Sequence, residues 1–282
     1  SKVIITTRDE IGMLGQSINT ISTNLEHRIT EINAINRQLQ MDYERQVELQ
    51  KRHRELSATF SHELKTPLTI MRGCIDNIQN TSNPADLIEY NTIALHELDR
   101  AGKLITQMLE IARMESPYFA LHRSEIDLWM IFFKVYDELK QTIEQRGIRV
   151  EYRAGDEAFL YADAELLERV ISNVMTNAMK YSPRGSVITV EITSTQNRHT
   201  FTVTNSNSSI SPEEIEKIWQ PFYRSRTSGS DSVNGNGLGL MIVSSILDAH
   251  GFLYAIRNTS GGVEFSFTSP VSRVPSDFPE EA

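Results

Sequence analysis

The sequence predicts an α+β protein in which a long parallel coiled coil leads into a dimeric four-helix bundle, followed by an α/β sandwich domain. Three observations carry this prediction. Apolar residues recur with heptad spacing from Ile18 to Phe60, and no glycine or proline interrupts them. Two helical stretches follow between residues 57 and 116. After Pro117, short β-rich runs and helical segments are mixed without strict alternation, which favours an α+β arrangement.

Composition narrows the class of protein. A chain of 282 residues can hold two domains, or one domain and a long extension. The net charge of −9 argues against a general nucleic-acid binder. Cys74 is the only cysteine, which excludes an internal disulfide and fits a reducing cytosol. There is no long apolar run and no signal-like start, so we expect a soluble chain that can be a piece of a larger protein.

The heptad seam predicts how the first helix is stabilised. A single helix of this length is not expected to be stable alone, so we predict a parallel homodimer. Polar residues occupy four seam positions, where they weaken a coil but fix its register and partner number. The seam residues are Ile18, Ile21, Leu25, Arg28, Ile32, Ile35, Leu39, Asp42, Gln46, Leu49, His53, Leu56 and Phe60.

The segment after the seam predicts a helical hairpin over residues 57–116. Pro67 has no backbone donor and should bend or loosen the first helix. That helix resumes and stops at Asn80, before a short polar break. Asn83 then serves as an N-cap with Pro84 at the first helical position. Two such hairpins would make a four-helix bundle.

The remainder predicts five strands and four helices. The strands are expected at 148–152, 187–192, 200–204, 253–256 and 263–268, and the helices near 127–145, 163–180, 212–219 and 239–250. The third helix is predicted from the capping box that begins at Ser211. Prolines and acidic residues predict a disordered tail over 271–282.

One histidine stands in a context that suggests chemistry. Residues 60–68 read Phe-Ser-His-Glu-Leu-Lys-Thr-Pro-Leu, and His62 lies two positions beyond the seam, so we expect it to face solvent. An imidazole nitrogen can carry a phosphoryl group, and the adjacent Glu63 carboxylate can hold the ring in the attacking tautomer. Taken alone, such a pair is more often an ordinary solvated helix face.

Two further segments suggest a phosphate ligand. Gly235-Asn-Gly-Leu-Gly-Leu precedes an apolar helix and can cradle phosphates, although a flexible loop would read the same way. No Lys-Ser/Thr follows it, so it is not a Walker loop. Asn173 and Asn177 share one helix face and can offer oxygens to phosphate-bound Mg²⁺. Lys180 can reach phosphate and Tyr181 can offer a ring to a base, but a merely polar helix end is an equal alternative.

Together these segments resemble the cytoplasmic part of a bacterial two-component sensor histidine kinase. FSHELKTPL is similar to the phosphoacceptor box, NVMTNAMKYS to the N-box, WQPFYRS to the F-box and GNGLGL to the second glycine box. The stretch around Gly261 resembles the final glycine-bearing hairpin, and residues 8–12 resemble the opening of the second HAMP helix. More narrowly, the Trp219 form of the F-box is similar to Gram-positive sensors of cell-wall antibiotics.

The resemblance implies a domain order and a cellular setting. The implied domains are 1–25 (end of a HAMP domain), 26–56 (coiled-coil signalling helix), 57–117 (dimerisation and histidine phosphotransfer hairpin), 118–270 (ATP-binding catalytic domain) and 271–282 (tail). The implied partners are a second copy of the chain and the receiver domain of a response regulator. The whole protein is then expected to be anchored in the cell membrane by segments outside this cytoplasmic fragment.

The resemblance also implies an ATP-dependent protein-histidine kinase and assigns roles. His62 attacks the γ-phosphorus with Glu63 as the activating acceptor, and Glu63 with Thr66 supports dephosphorylation of the regulator. A mobile lid runs from Phe222 to Asn234. The implied nucleotide-binding residues are Asn173, Asn177, Lys180, Tyr181, Asn205, Phe222, Arg224, Gly235, Gly237, Leu238, Gly239 and Leu240. Asn177, assisted by Asn173, is the implied Mg²⁺ ligand.

One box departs from the family pattern and keeps other hypotheses open. Where the family has Asp-x-Gly-x-Gly, this chain has Asn205-Ser-Asn-Ser-Ser209, which weakens the adenine contact by about 1 kcal/mol. Asn207 tolerates a left-handed backbone, whereas Ser209 does so less well. A kinase-weak relay or phosphatase is therefore the alternative. An ATPase of the same fold is disfavoured because Asn173 stands where such enzymes carry a glutamate base.

Overall fold

The computed structural model describes residues 10–116, 118–153, 158–195, 198–224 and 236–270. The α-helices are α1 (Glu10–Asn80), α2 (Pro84–Met114), α3 (Leu128–Gln145), α4 (Ala164–Tyr181) and α5 (Gly239–His250), and a 3₁₀ helix covers Lys217–Trp219. The strands are β1 (Ser124–Asp127), β2 (Arg149–Arg153), β3 (Phe159–Ala162), β4 (Val187–Thr195), β5 (Arg198–Ser206), β6 (Leu253–Thr259) and β7 (Gly262–Pro270). In the described ranges, no helix is both long enough and apolar enough to cross a membrane.

The chain divides after His62 into two structural units. The first unit, as far as it is described, is helical from Glu10 onward. The apolar seam residues from Ile18 to Leu39 are 45–66% exposed. A lone helix cannot cover its own apolar stripe, so this exposure is compatible with the predicted homodimer, which stays a prediction.

Helix α1 runs through Pro67 without interruption and ends at Asn80. The predicted loosening at this proline therefore does not break the helix. Proline's fixed φ is compatible with helical geometry, although the bond that its missing N–H would have made is lost. Pro67 is also buried, so packing helps to keep the helix continuous there.

The start of α2 confirms the predicted cap. The Asn83 side chain accepts a hydrogen bond from the backbone N–H of Ala85 at 3.1 Å, and Pro84 occupies the first helical turn. The helix ends at Met114, two residues before Ser116. Its buried positions are Glu97, Ala101, Leu104 and Ile111. Their intervals of four, three and seven residues place them on one face of the helix, as an amphipathic bundle helix requires.

The five predicted strands form one mixed sheet in the order β2-β4-β5-β7-β6, in which only β2 and β4 are parallel. Burial alternates along β5, where Phe201, Val203 and Asn205 are buried and their neighbours are half-exposed. Helices α3, α4 and α5 contact this sheet through β2, β5 and β6. The α+β prediction is thus confirmed. The buried face of β5 is turned toward the interior of the domain.

Two elements differ from the sequence predictions. Strands β1 and β3 were not predicted; they pair antiparallel as a separate two-stranded sheet, and four residues each is too short for a clear periodic signal. The predicted helix at 212–219 is instead a series of turns that ends in a 3₁₀ turn at Lys217–Trp219. The two ends of the predicted capping box do contact each other through their side chains, since Ser211 Oγ donates to Glu214 Oε2 at 3.0 Å. Glu214 also accepts a hydrogen bond from the Tyr223 hydroxyl at 2.9 Å, so its carboxylate serves a contact beyond this segment.

A buried histidine fastens α5 to the start of α4. His250 is 5% exposed, and its Nε2 accepts a hydrogen bond from the backbone N–H of Asp163, the N-cap of α4, at 3.0 Å. Its Nδ1 donates to the carbonyl of Ile246 at 2.8 Å. The ring is therefore neutral, with its proton on Nδ1. A second proton on Nε2 would point at the Asp163 N–H.

This arrangement predicts a pH-dependent stability. Burial, aided by the Arg123 charge, lowers the pKa of His250 below its ordinary 6.5, although the Ile246 carbonyl and Asp163 act in the opposite direction. The unfolded chain then binds more protons, so this stabilisation is complete above the ordinary pKa and is lost as pH falls through the folded value. Between about pH 7.5 and about pH 5.5, urea unfolding should show a smaller loss of stability for His250→Gln than for the parent chain. Equal losses in the two proteins would contradict the assignment.

Candidate active site

A cavity of about 380 Å³ lies between α4, the buried face of the sheet and the segment that follows β5. Its apolar wall includes Val174, Ala178, Val203, Ile218, Ile256 and Phe265. Its polar groups are Asn177, Tyr181, Asn205 and Tyr223, together with residues 207–209. A largely apolar cleft with a few placed polar groups is typical of a small-molecule site.

Helix α4 supplies one wall because its functional residues follow helical spacing. Val174, Asn177, Ala178 and Tyr181 recur at three- and four-residue intervals and therefore share the face that lines the cavity. Asp163 caps this helix by accepting from the backbone N–H of Leu166 at 3.2 Å. The helix is thus held at its start, while its last turn presents polar groups to the cavity.

Asn205, at the end of β5, forms the opposite wall. It is 7% exposed, and its Nδ2 donates to Ser208 Oγ at 2.6 Å. The chain turns after it at Asn207, whose φ of 59° is left-handed, as its sequence allows. Ser209 is not left-handed, so the strain expected there does not arise. The rim continues to Ile210, whose backbone N–H and carbonyl both bond the Asn258 amide, at 2.9 and 2.7 Å.

The F-box and second glycine box meet through their backbones. The Phe222 N–H donates to the Gly237 carbonyl at 2.9 Å, and both residues have positive φ, 62° and 68°. A Cβ on Gly237 would lie 2.6 Å from the Phe222 carbonyl carbon, so a side chain cannot be accommodated there. Gly239 opens α5, and a Cβ there would lie 3.0 Å from Asn173 Oδ1 and 3.7 Å from Asn177 Nδ2. The start of α5 therefore packs directly against the asparagine pair.

Positive charge gathers beside the end of α4. Burial lowers the pKa of Lys180, and the charges of Arg224 and Arg146 lower it further. The Lys180 ammonium lies 5.1 Å from the Tyr181 ring centre. Burial also raises the pKa of Tyr181, so its phenol stays neutral. These positive charges repel one another, and an anionic ligand bound beside them would relieve that repulsion.

The F-box is tied to the domain by two aromatic residues. Tyr223 lines the cavity, and its hydroxyl donates to Glu214 Oε1 at 2.9 Å. The Trp219 ring lies 5.0 Å from that of Tyr254 on β6. These contacts fix the segment that leads out of the cavity toward residue 224.

Four of the residues predicted from the sequence line this cavity, namely Asn177, Tyr181, Asn205 and Leu240. The other described residues of the prediction contact these four or one another. Gly239 packs against Asn173 and Asn177, and Phe222 bonds Gly237. Lys180 and Arg224 interact electrostatically, and Leu238 caps α5. Gly235 and residues 225–234 of the predicted lid, which begins at Phe222, lie outside the described residues. On α1, His62 and Thr66 are exposed, and Glu63 is half-buried.

The sequence reasoning missed the apolar wall and the role of Ser208. Alternation along β5 places Val203 on the same face as Asn205, and helical spacing places Val174 beside Asn177. These two patterns carried a usable signal. The contact of Ser208 with Asn205 carried none, because it depends on the turn at Asn207.

Two family models match the chain. Residues 52–117 match the His Kinase A (phospho-acceptor) domain, and residues 162–273 match the histidine kinase-, DNA gyrase B-, and HSP90-like ATPase. The first match contains His62, and the second contains the cavity residues from Val174 to Phe265. The two chemical segments thus fall in two separate domains.

Known proteins give the same picture. The chain is 29% identical over 220 residues to sensor histidine kinase CusS of Escherichia coli O6:H1, covering 78% of this chain and 46% of the relative. It is 26% identical over 264 residues to sensor protein VanSB of Enterococcus faecalis, covering 93% and 58%. The chain thus spans about half the length of the curated relatives it matches. Identities this similar do not favour the narrower resemblance to Gram-positive antibiotic sensors.

A solved structure supports the architecture. The histidine kinase ThkA, crystallised in complex with the response regulator protein TrrA, is 25% identical, with a TM-score of 0.64 over 77% of this chain and 61% of that one. A helical hairpin followed by a mixed α/β domain is therefore shared by sequence, by fold and by both domain matches. The chain belongs to the two-component sensor histidine kinases.

Proposed function

We propose that this chain transfers the γ-phosphoryl group of Mg-ATP to His62 and then to an aspartate of a response regulator receiver domain. The observation that carries the proposal is the cavity, an apolar cleft lined by Asn205 and Tyr181, together with the positive charge of Lys180, the residue before Tyr181 at the end of α4. A base and a triphosphate have this same division into a planar, partly apolar part and an anionic part. The ATPase-domain match covers the whole cavity.

The base fits the side of the cavity between Tyr181 and β5. Val203 and Ile256 offer apolar surface, and Tyr181 offers a ring. Asn205 lines this side, and its Nδ2 is engaged by Ser208, which leaves Oδ1 to accept from an exocyclic amine. An amide oxygen forms a weaker bond than a carboxylate does, so we expect reduced affinity rather than lost binding.

The phosphates fit the side formed by the start of α5 and the end of α4. The N-terminus of α5 favours anions, and glycine at 237 and 239 keeps side chains away from its approach. Lys180 and Arg224 neutralise charge there. Among the described residues, no three carboxylates, histidines or cysteines cluster as a metal site. Asn177 and Asn173 would therefore hold Mg²⁺ together with the phosphates, and the ion would supply charge neutralisation at the transferred group.

His62 suits the receiving role because it is exposed on α1. A ring nitrogen can attack only when it is not protonated, and Glu63 would hold the other nitrogen as the proton-bearing one. We propose that Glu63 and Thr66 also orient water for dephosphorylation of the regulator. The lack of an acid at Asn173 favours transfer to histidine over hydrolysis.

We also propose the assembly in which these steps occur. Two copies would cover the exposed seam of α1 and build the four-helix bundle from their hairpins. The response regulator partner is supported by the complex of the related ThkA with TrrA. The domain limits 1–25, 26–56, 57–117, 118–270 and 271–282, and membrane anchoring of the whole protein, belong to the same proposal.

Incubation of the chain with Mg²⁺ and γ-labelled ATP tests the function. Label that is labile to acid and stable to alkali is expected, and it should move to a receiver domain. Calorimetric titration with ATP tests the kinase-weak alternative, which micromolar to sub-millimolar binding would contradict. Steady release of phosphate without labelled protein would instead favour an ATPase.

A further inference from the structure

Two hydrogen bonds between Ser208 and Asn205 determine which atom of the Asn205 amide can meet a ligand. Asn205 Nδ2 donates to Ser208 Oγ at 2.6 Å. Ser208 Oγ in turn donates to the backbone carbonyl of Asn205 at 2.9 Å. The serine hydroxyl has a single proton, and this second bond uses it.

These two hydrogen bonds favour one of the two orientations of the Asn205 amide, which differ by exchange of Oδ1 and Nδ2. With its proton committed to the carbonyl, Ser208 Oγ can only accept from the side chain of Asn205, so Nδ2 must face it. A flipped amide would bring Oδ1 against Oγ, and only one of the two bonds would survive. The observed orientation is therefore favoured by one hydrogen bond in a half-buried site.

The positions of both residues are held by the surrounding backbone. Asn205 is paired with Ile188 on β4 and with Val263 on β7. The loop beyond Ser208 is held by Asn258, whose amide bonds both backbone groups of Ile210. Ser208 thus cannot easily leave Asn205 to let the amide turn.

We propose that Ser208 is a positioning residue that sets base specificity by holding Asn205 Oδ1 as the atom available to the ligand. Adenine carries an amine donor where guanine carries a carbonyl acceptor. An Asn205 amide held with Oδ1 toward the ligand accepts a hydrogen bond from the adenine amine and repels the guanine carbonyl. Both oxygens of a carboxylate are acceptors, so a carboxylate needs no fixed orientation. An amide has one donor end and one acceptor end, so its orientation must be held, and we call this restraint by Ser208 the amide lock. The inference rests on the proposed nucleotide binding at this cavity.

Calorimetric titration with ATP and with GTP, in the presence of Mg²⁺, tests the proposal on the full chain. In Ser208→Ala the amide can flip and offer Nδ2 to guanine, so the preference for ATP should fall by about tenfold. Ser208→Thr keeps the hydroxyl and should keep the preference. Ser194→Ala, which removes a hydroxyl at the opposite end of the β4–β5 hairpin, should leave both affinities as in the parent.

An Asn205→Asp background separates the amide lock from general loosening of the loop. The carboxylate offers only acceptors, so adding Ser208→Ala there should leave the ATP-to-GTP ratio unchanged. The proposal is overturned if Ser208→Ala lowers the ratio equally in both backgrounds, or leaves it unchanged in the parent. Failure of the parent chain to bind either nucleotide would overturn the proposed function instead.

A measurement without nucleotide tests directly whether Ser208 restrains the Asn205 amide. In the free protein, the Asn205 side-chain amide protons should exchange with solvent more slowly in the parent and in Ser208→Thr than in Ser208→Ala. Equal exchange in the three proteins would show that Ser208 does not hold the amide.

Discussion

Replacement of His62 by glutamine is expected to abolish phosphorylation of the chain by γ-labelled ATP while leaving nucleotide binding intact. Glutamine has no nitrogen that can accept a phosphoryl group at neutral pH, so the loss should be complete rather than partial. His62 is exposed on α1, so the substitution should not disturb the fold. The measurement is acid-labile label on the protein, with calorimetric ATP affinity measured in parallel.

Two controls define what this result means. His27→Gln, an exposed substitution on the same helix, should be labelled like the parent chain. Glu63→Gln should be labelled more slowly, by a factor on the order of 10² or more, because the ring loses its activating acceptor. Label retained in His62→Gln would place the phosphorylation elsewhere and refute the assignment.

Gly262→Ala is expected to destabilise the catalytic domain more than any surface substitution in it. Gly262 has a φ of 145°, which is open only to glycine, and a Cβ there would overlap the backbone carbonyl of Asn205. Strands β5 and β7 would have to separate at the pair Ser206–Gly262. We expect a loss of about 3 kcal/mol in the free energy of unfolding, measured by urea denaturation.

The neighbouring glycine is a matched control for this effect. A Cβ on Gly261 would meet only Thr259 Oγ1, at 3.8 Å, and its φ is not left-handed. Gly261→Ala should therefore change stability by no more than about 0.5 kcal/mol. The two variants should also differ in ATP affinity, because only Gly262→Ala moves Asn205 at the cavity. Similar stabilities for both would show that the close approach of β7 to Asn205 is not required.

Several elements followed from local rules and were predictable for that reason. The Asn83–Pro84 start of α2 is a contact between near neighbours, so its sequence signature suffices. The residues of α5, Gly239 to His250, are mostly apolar, and this segment follows a glycine-rich stretch and ends before Gly251. The turn at 212–219 shows the limit of such rules. The sequence there has the capping-box pattern that begins at Ser211, but the Glu214 side chain bonds Tyr223 and no α-helix forms.

The sequence by itself determined which chemical groups the chain carries and their order: a histidine beside an acid on a helix, an asparagine pair, and glycines before an apolar helix. Periodicity and motif spacing are local, so they can be read without coordinates. Only the tertiary structure decided how Asn205 is held in the segment that departs from the family's Asp-x-Gly-x-Gly pattern. The left-handed turn at Asn207 brings Ser208 back onto Asn205, and Gly262 lets β7 approach it. Contacts of this kind join atoms whose meeting depends on backbone geometry, and no pattern of residue types encodes that.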